Sequence, residues 1–263
     1  VMVVSFVNAG LLTLTQSIGV IMGANIGTTV TAWIISALGF KVDISAFALP
    51  LLAFGLPLLF SGKSSRKSIG EFIFGFSFLF MGLEGLKGNA PDLSANPDML
   101  AFVQNYTDMG FFSILLFLFI GTVLTMVVQA SAATMAITLI MCANGWIDYH
   151  LGVALVLGEN IGTTITANLA ALTGNTQARR AALAHLMFNV FGVCWVLVLF
   201  YPFTAGVSWF VTDVMHVSDP AVAVSFKLAA FHTAFNISNT CIMICFVPFI
   251  EKTVCAMIRT KQE

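Results

Sequence analysis

Gln129, Ser131 and Thr134 interrupt an apolar run in the sequence QASAATM, which spans Gln129 to Met135. All three are neutral hydrogen-bond donors, and the small residues Ala130, Ala132 and Ala133 between them permit close approach of the backbone. A half-helix starting within residues 129–143 would present unpaired amides and a positive dipole end, a combination that favours a bound anion. A second set, Asn25, Thr28 and Thr29, recurs as Asn160, Thr163 and Thr164. These residues supply hard neutral oxygens suited to a small alkali cation, and Gly27 and Gly162 permit local unwinding that frees further carbonyls. Glu159 stands where the first copy has Ala24. A carboxylate inside a membrane span is expensive and marks a functional candidate, as a cation ligand or a proton carrier. The structural alternative is a neutral, hydrogen-bonded Glu at the interface; because a carboxylate repels an anion, any site role for Glu159 belongs with the cation.

Helix packing also enriches small and hydroxylated residues. Packing alone does not explain why Asn is retained in both copies of the second set, so the sequence favours an ion or substrate role there. The duplication itself is extensive. Gly23–Ala32, GANIGTTVTA, returns as Gly158–Ala167, GENIGTTITA, with eight of ten residues identical at an offset of 135. Extended without gaps, the same offset pairs Val1 with Ala136, Gly10 with Gly145 and Gly39 with Gly174. Duplicated apolar segments interrupted by Gly, Asn and Thr are the pattern of a membrane protein built from two repeats.

These residues must be positioned by membrane helices. Hydrophobic residues make up 59% of the chain and charged residues 9%, against roughly 45–50% and about 25% in soluble domains. Uncharged runs at 18–39 and 110–128 are each long enough to cross a bilayer. Further spans are expected at 44–60, 69–88, 151–174, 184–203 and 226–250. None shows the alternation of a barrel strand, so the expected fold is an all-α polytopic membrane protein. A net charge of −1 with scattered basic residues leaves no footprint for nucleic acid. The five cysteines are odd in number, lie mainly in apolar spans and lack metal-ligand spacing, so they read as small core residues. No arrangement of enzymatic residues is found.

Basic residues set the orientation. Lys63, Arg66 and Lys67, then Arg179 and Arg180, then Lys252, Arg259 and Lys261 mark cytoplasmic connections. The polar stretch with Asp92, Asp98 and Asp108 contains no Lys or Arg and is expected on the opposite face. Residues 110–143 then form a hairpin that leaves and returns to one side, and the two repeated motifs cross the bilayer in opposite directions. The expected layout is a first repeat at 1–88, an extracytoplasmic loop at 89–109, a second repeat at 110–250 and a cytoplasmic tail at 251–263. Each repeat is a hairpin plus three spans, related by a pseudo-two-fold axis in the membrane plane. The alternative is two parallel repeats. By the same offset, the partner of Gln129–Met135 falls upstream of Val1, so the first hairpin is expected to lack its first arm. Gln16 and Ser17 align with Leu151 and Gly152 and do not replace it.

A QSSS-type hairpin followed after some residues by GANIGTT or GSNIGTT, present twice, resembles the type II sodium-dependent phosphate cotransporter family and its bacterial relatives. Here the resemblance covers essentially the whole chain, through GANIGTT, GENIGTT and QASAAT. It implies sodium-coupled movement of inorganic phosphate across the plasma (inner) membrane. Phosphate would be held between the hairpin tips, with sodium as coupling ion and no other cofactor. Substrate binding then falls to Gln129, Ser131 and Thr134, and ion binding to Asn25, Thr28, Thr29, Asn160, Thr163, Thr164 and Glu159. In bacterial relatives a PhoU-like cytoplasmic domain often follows the last span, and some are linked to phosphate export. Ala130 and Ala132 remove two hydroxyls relative to QSSS, which leaves another small anion open as cargo. A channel or non-transporting scaffold with the same fold is the competing class.

A second echo is HxxFN, at His185–Asn189 and again at His232–Asn236. Helical spacing puts His and Asn of each motif on one face, and structural bridging of neighbouring helices is the expected role.

Overall fold

The computed structural model describes residues 1–38, 45–89 and 106–260, and every regular element among them is helical. The helices are α1 (Met2–Asn8), α2 (Leu14–Leu38), α3 (Ser45–Leu59), α4 (Ser64–Gly88), α5 (Phe111–Val128), α6 (Ser131–Ala143), α7 (Tyr149–Ala171), α8 (Thr176–Val198), α9 (Phe200–Trp209), α10 (Pro220–Met243) and α11 (Val247–Met257). Among the described residues, five segments are long and apolar enough to cross a membrane: Leu14–Leu38, Ser64–Leu86, Phe111–Val128, Thr176–Val198 and Val222–Met257. Large apolar side chains lie on the outside, with Phe60 84%, Val198 82% and Val127 75% exposed. Water would penalise such a surface, whereas lipid accepts it.

Two compact units emerge, one of Val1–Trp33 with Val103–Glu263 and one of Ile34–Phe102. The smaller unit is the hairpin of α3 and α4. Its helices approach closely at Gly70, where a Cβ would meet the backbone nitrogen of Leu59 at 2.9 Å and the Gly55 carbonyl at 3.1 Å. Lys63 occupies the turn, and Arg66 and Lys67 lie in the first turn of α4. Of the acidic loop expected at 89–109, residues 90–105 lie outside the described residues, as does Lys261.

In the larger unit the sequence duplication has a geometric counterpart. Both α1 and α6 end at a residue in the right-handed helical region, Ala9 (φ −80°, ψ −2°) and Asn144 (φ −81°, ψ −1°). The next residue in each copy is a glycine at positive φ, Gly10 at 73° and Gly145 at 70°. Only glycine adopts that region without steric cost, so the turn is written into both copies. Each turn then feeds a capped helix. The Thr13 hydroxyl accepts from the Gln16 amide at 3.2 Å, and Asp148 accepts from the Leu151 amide at 2.8 Å. Gln16 returns the bond, its Oε1 accepting from the Thr13 amide at 3.0 Å, which completes a reciprocal capping box.

The helix α7 is the centre of this unit, buried along most of its length. Its contact with α5 is made by glycine. A Cβ on Gly162 would lie 2.7 Å from the Thr122 carbonyl and 2.7 Å from Thr125 Cβ, and Gly121 and Gly158 face the partner backbone as closely. This is a small-xxx-small seam, with Gly158 and Gly162 four residues apart. A second core joins Val7, Ile18 and Met22 to Ala184, Phe188, Met243 and Ile250. Arg180, 2% exposed, donates through Nε to the Ile258 carbonyl at 2.9 Å and ties α8 to the end of α11.

Two expected boundaries are corrected. The span expected at 184–203 stops at Val198, where Leu199 leaves helical geometry (φ −103°, ψ 24°). A new helix begins beyond it, with Pro202 in its first turn, the helical position that tolerates a missing amide hydrogen. The chain that follows is helical as far as Val214, ending in a π-helical turn at Phe210–Val214. The span expected at 226–250 runs from Pro220 to Met243, then through a 3₁₀ turn at Ile244–Phe246 into α11, with Pro248 in its first turn.

Candidate functional site

The chain reverses between α5 and α6 over two residues. Gln129 adopts the left-handed region (φ 56°, ψ 21°) and Ala130 is extended (φ −141°, ψ 100°), so α6 begins at Ser131 without a side-chain cap. The half-helix expected after Gln129 is therefore present, and its first turn opens on a cavity of about 140 Å³. Ser131, Ala132 and Met135 line it from α6; Asn25, Thr28 and Thr31 from α2; Glu159, Asn160 and Thr163 from α7; and His185 and His232 from α8 and α10. Val1 and Val4 complete the wall. Among the described residues no Lys or Arg side chain lines it. A larger apolar groove of about 470 Å³ beside Trp33, Phe203 and Phe210 lacks convergent polar groups, because the Thr233 hydroxyl there already accepts from Trp33 Nε1 at 2.8 Å.

The two copies of the NIGTT motif present the same atoms. Asn25 Nδ2 donates to the Ile21 carbonyl and Asn160 Nδ2 to the Val156 carbonyl, each at 2.9 Å and each one turn back along its own helix. The Thr28 hydroxyl donates to the Ala24 carbonyl at 3.0 Å, and Thr163 to the Glu159 and Asn160 carbonyls at 3.0 Å. With these hydrogens committed to the backbone, the amide and hydroxyl oxygens are what each motif offers its surroundings. Neutral oxygens of this kind suit a hard monovalent cation. Both helices remain α-helical through Gly27 and Gly162, so the expected unwinding is absent; the second of these glycines serves close packing instead.

Glu159 is 2% exposed, and the Thr138 hydroxyl donates to its Oε1 at 2.9 Å. Thr138 lies two turns beyond Ser131 on α6, so the half-helix that offers its amides to the cavity also anchors the carboxylate.

Not every expected residue reaches the cavity. Gln129 is exposed at the reversal, and Thr134 is buried with its hydroxyl directed at the Ala130 carbonyl at 3.3 Å. Thr29 and Thr164 turn away as well, each bonded to the carbonyl three residues back. The HxxFN motifs also depart from expectation. Asn189 and Asn236 donate to the carbonyls of His185 and His232 within their own helices, at 3.2 and 2.9 Å, and do not bridge neighbours. The interhelical link is made by Asn239, which donates to the Phe188 carbonyl at 3.0 Å and accepts from Trp195 Nε1 at 3.2 Å. Both imidazoles instead face the cavity. The repeated motif was the signal, but spacing alone does not say toward which neighbour a histidine points.

Comparison with known proteins decides the family. The model of the Na+/Pi-cotransporter family matches residues 1–88 and 94–209. The chain belongs to the Na+/Pi-cotransporter family. Among the similar proteins is the uncharacterized protein YqeW of Bacillus subtilis, 32% identical over 90% of this chain and 71% of that protein. A Salmonella typhimurium protein named for inorganic phosphate export, YjbB, is 25% identical over all of this chain, which spans 45% of its length. Sodium-dependent phosphate transport protein 2C of Mus musculus is 38% identical over 34% of this chain and 16% of that protein. No solved structure matches.

Proposed function

We propose that this chain forms the membrane core of a sodium-coupled transporter of inorganic phosphate, resident in the plasma (inner) membrane and working by alternating access. The observation that carries the reading is the convergence, on one cavity, of two equivalent oxygen-presenting motifs and the uncapped start of a half-helix. Asn25, Asn160, Thr28 and Thr163 supply neutral oxygens for sodium, and Glu159 supplies the negative charge. Ser131 and the first amides of α6 receive the phosphate. With no Lys or Arg among the described residues of the wall, the cation itself balances the buried anion, which couples the two cargoes.

In this reading the units 1–88 and 110–250 are inverted repeats that rock against each other around the site. The GxxxG face of α7 is filled by α5, whereas a Cβ on Gly23 or Gly27 of α2 would meet nothing within 4 Å. A further helix packed as α5 is packed on α7 would fit that open face. A PhoU-like domain beyond the last helix would regulate from the cytoplasm. The relative named for phosphate export favours outward net movement as a second reading of direction.

The test is phosphate flux into proteoliposomes containing the full-length protein, with and without a sodium gradient. Gradient-driven flux that collapses in Asn160→Ala supports the assignment. Flux of another oxyanion but not phosphate would change the cargo, and no flux would favour a scaffold.

A further inference from the structure

A buried oxyanion requires hydrogen-bond donors whose hydrogens are not already committed. Beyond the first amides of α6, few side-chain hydrogens in the cavity meet that requirement. The hydroxyls of Thr28 and Thr163 donate to their own helices, the Asn25 and Asn160 amides each have one hydrogen in the same use, and Glu159 brings a carboxylate. Ser131 and Thr31 are small and supply one hydroxyl each.

Two larger donors remain. His232 is 5% exposed and its Nδ1 has no partner among the described residues, although burial makes an unpaired polar atom costly. His185 is partly buried and lines the same cavity from α8. The motif asparagines direct their Nδ2 groups to backbone carbonyls and do not pair with the rings; their Oδ1 atoms are themselves buried without a partner among the described residues. The two imidazoles come from different helices, α8 and α10, yet both line the same cavity as Ser131. A buried ring with an unpartnered nitrogen, facing one wall together with a second imidazole, is explained by a ligand that bridges the two.

We propose that His185 and His232 are anion-binding residues, donating ring N–H groups to the oxygens of a tetrahedral oxyanion held between them and Ser131. The assignment rests on the phosphate-transport reading for the identity of the cargo, but not for the role of the rings. Imidazole suits the task. It donates without the fixed charge of Lys or Arg, so it holds the anion while cation-balanced and releases it when the coupling ion leaves.

The experiment uses the full-length protein in two ways. In proteoliposomes, His232→Leu and His185→Leu are each expected to raise the phosphate KM about tenfold, the loss of one hydrogen bond to a charged group, with the sodium activation curve unchanged. His232→Gln, which retains a donor, is expected to recover part of that loss. An unchanged phosphate KM in both Leu variants would overturn the proposal. Because a Leu variant can fail to fold, the wild-type protein is also treated with diethyl pyrocarbonate and mapped by mass spectrometry. Inorganic phosphate should protect His185 and His232 from carbethoxylation, while His150 and His216, which do not line the cavity, react equally with and without it. Lack of protection by either phosphate or sulfate would overturn the proposal. Protection by sulfate alone, with no phosphate flux, would uphold the two donors and overturn phosphate as the cargo.

Discussion

Glu159 is where the two copies of the repeat differ most in chemistry, since its counterpart is Ala24. Its carboxylate has a single side-chain partner among the described residues, the hydroxyl of Thr138. One bond leaves most of its lone pairs directed at the cavity, which is what a cation ligand requires and a structural carboxylate avoids. Glu159→Gln keeps the volume and an oxygen for Thr138 while removing the charge. The expected outcome is a folded protein with a right-shifted sodium activation curve, by about tenfold or more, the loss of one close charge interaction. An unchanged curve would make Glu159 a structural residue. The sequence identified this carboxylate by its improbable setting, and the Asn and Thr oxygens by their duplication. It did not identify Thr138 as the partner of that carboxylate, or Thr31 and the imidazoles as sharing its cavity, because these residues come from four different helices. Nor did it separate Thr28 from Thr29, or Thr163 from Thr164. Adjacent positions on a helix differ by about 100° in direction, and only packing decides which one faces the ligand.

At the scale of elements the same short sequence does two different jobs. In α7 the glycines of GENIG let α5 approach within backbone contact, whereas the glycines of GANIG in α2 meet nothing. Substitution separates the two. Gly162→Ala is expected to destabilise by about 1–3 kcal/mol, since the added methyl has no room against the Thr122 carbonyl. In this 263-residue chain Gly27→Ala is expected to lie within about 0.5 kcal/mol of wild type. Thermal unfolding in detergent compares them directly. Equal destabilisation in a longer form of the protein, with the difference retained in this chain, would show that a further helix occupies the face of α2. The helix ends were less legible than the helices. Leu199 and the turn at Ile244–Phe246 break runs that are apolar throughout, so hydropathy passes over them, and Pro202 and Pro248 mark the restart only once the break is known.

For the whole molecule, orientation follows from charge and can be read independently of transport. The turn with Lys63, Arg66 and Lys67 and the basic end of α11 are expected on one side, with Asp108 on the other. Single cysteines at Ser61, Asp108 and Thr260, in a background without the native cysteines, can be probed in intact cells with a membrane-impermeant maleimide. Labelling of Asp108→Cys alone is expected. Labelling of Thr260→Cys together with Asp108→Cys would support parallel repeats. The native cysteines are free thiols, Cys142 buried and Cys194, Cys241 and Cys245 on the apolar exterior, so their removal breaks no disulfide.

Composition alone determined that this protein is a helical membrane protein, because a chain that is 59% hydrophobic and 9% charged satisfies its backbone in lipid only through helices. The duplication was likewise legible in the residues, since an offset shared by turn glycines, caps and polar motifs survives as identity. Which of those polar residues share a cavity was decided only by the fold. The site is assembled from α2, α6, α7, α8 and α10, elements distant in sequence, and the direction of each side chain depends on how those helices rotate against one another. That rotation is set by packing, through the glycine seam with α5, the core around Phe188 and the Asn239 bridge. These contacts are long-range, and local sequence carries no record of them.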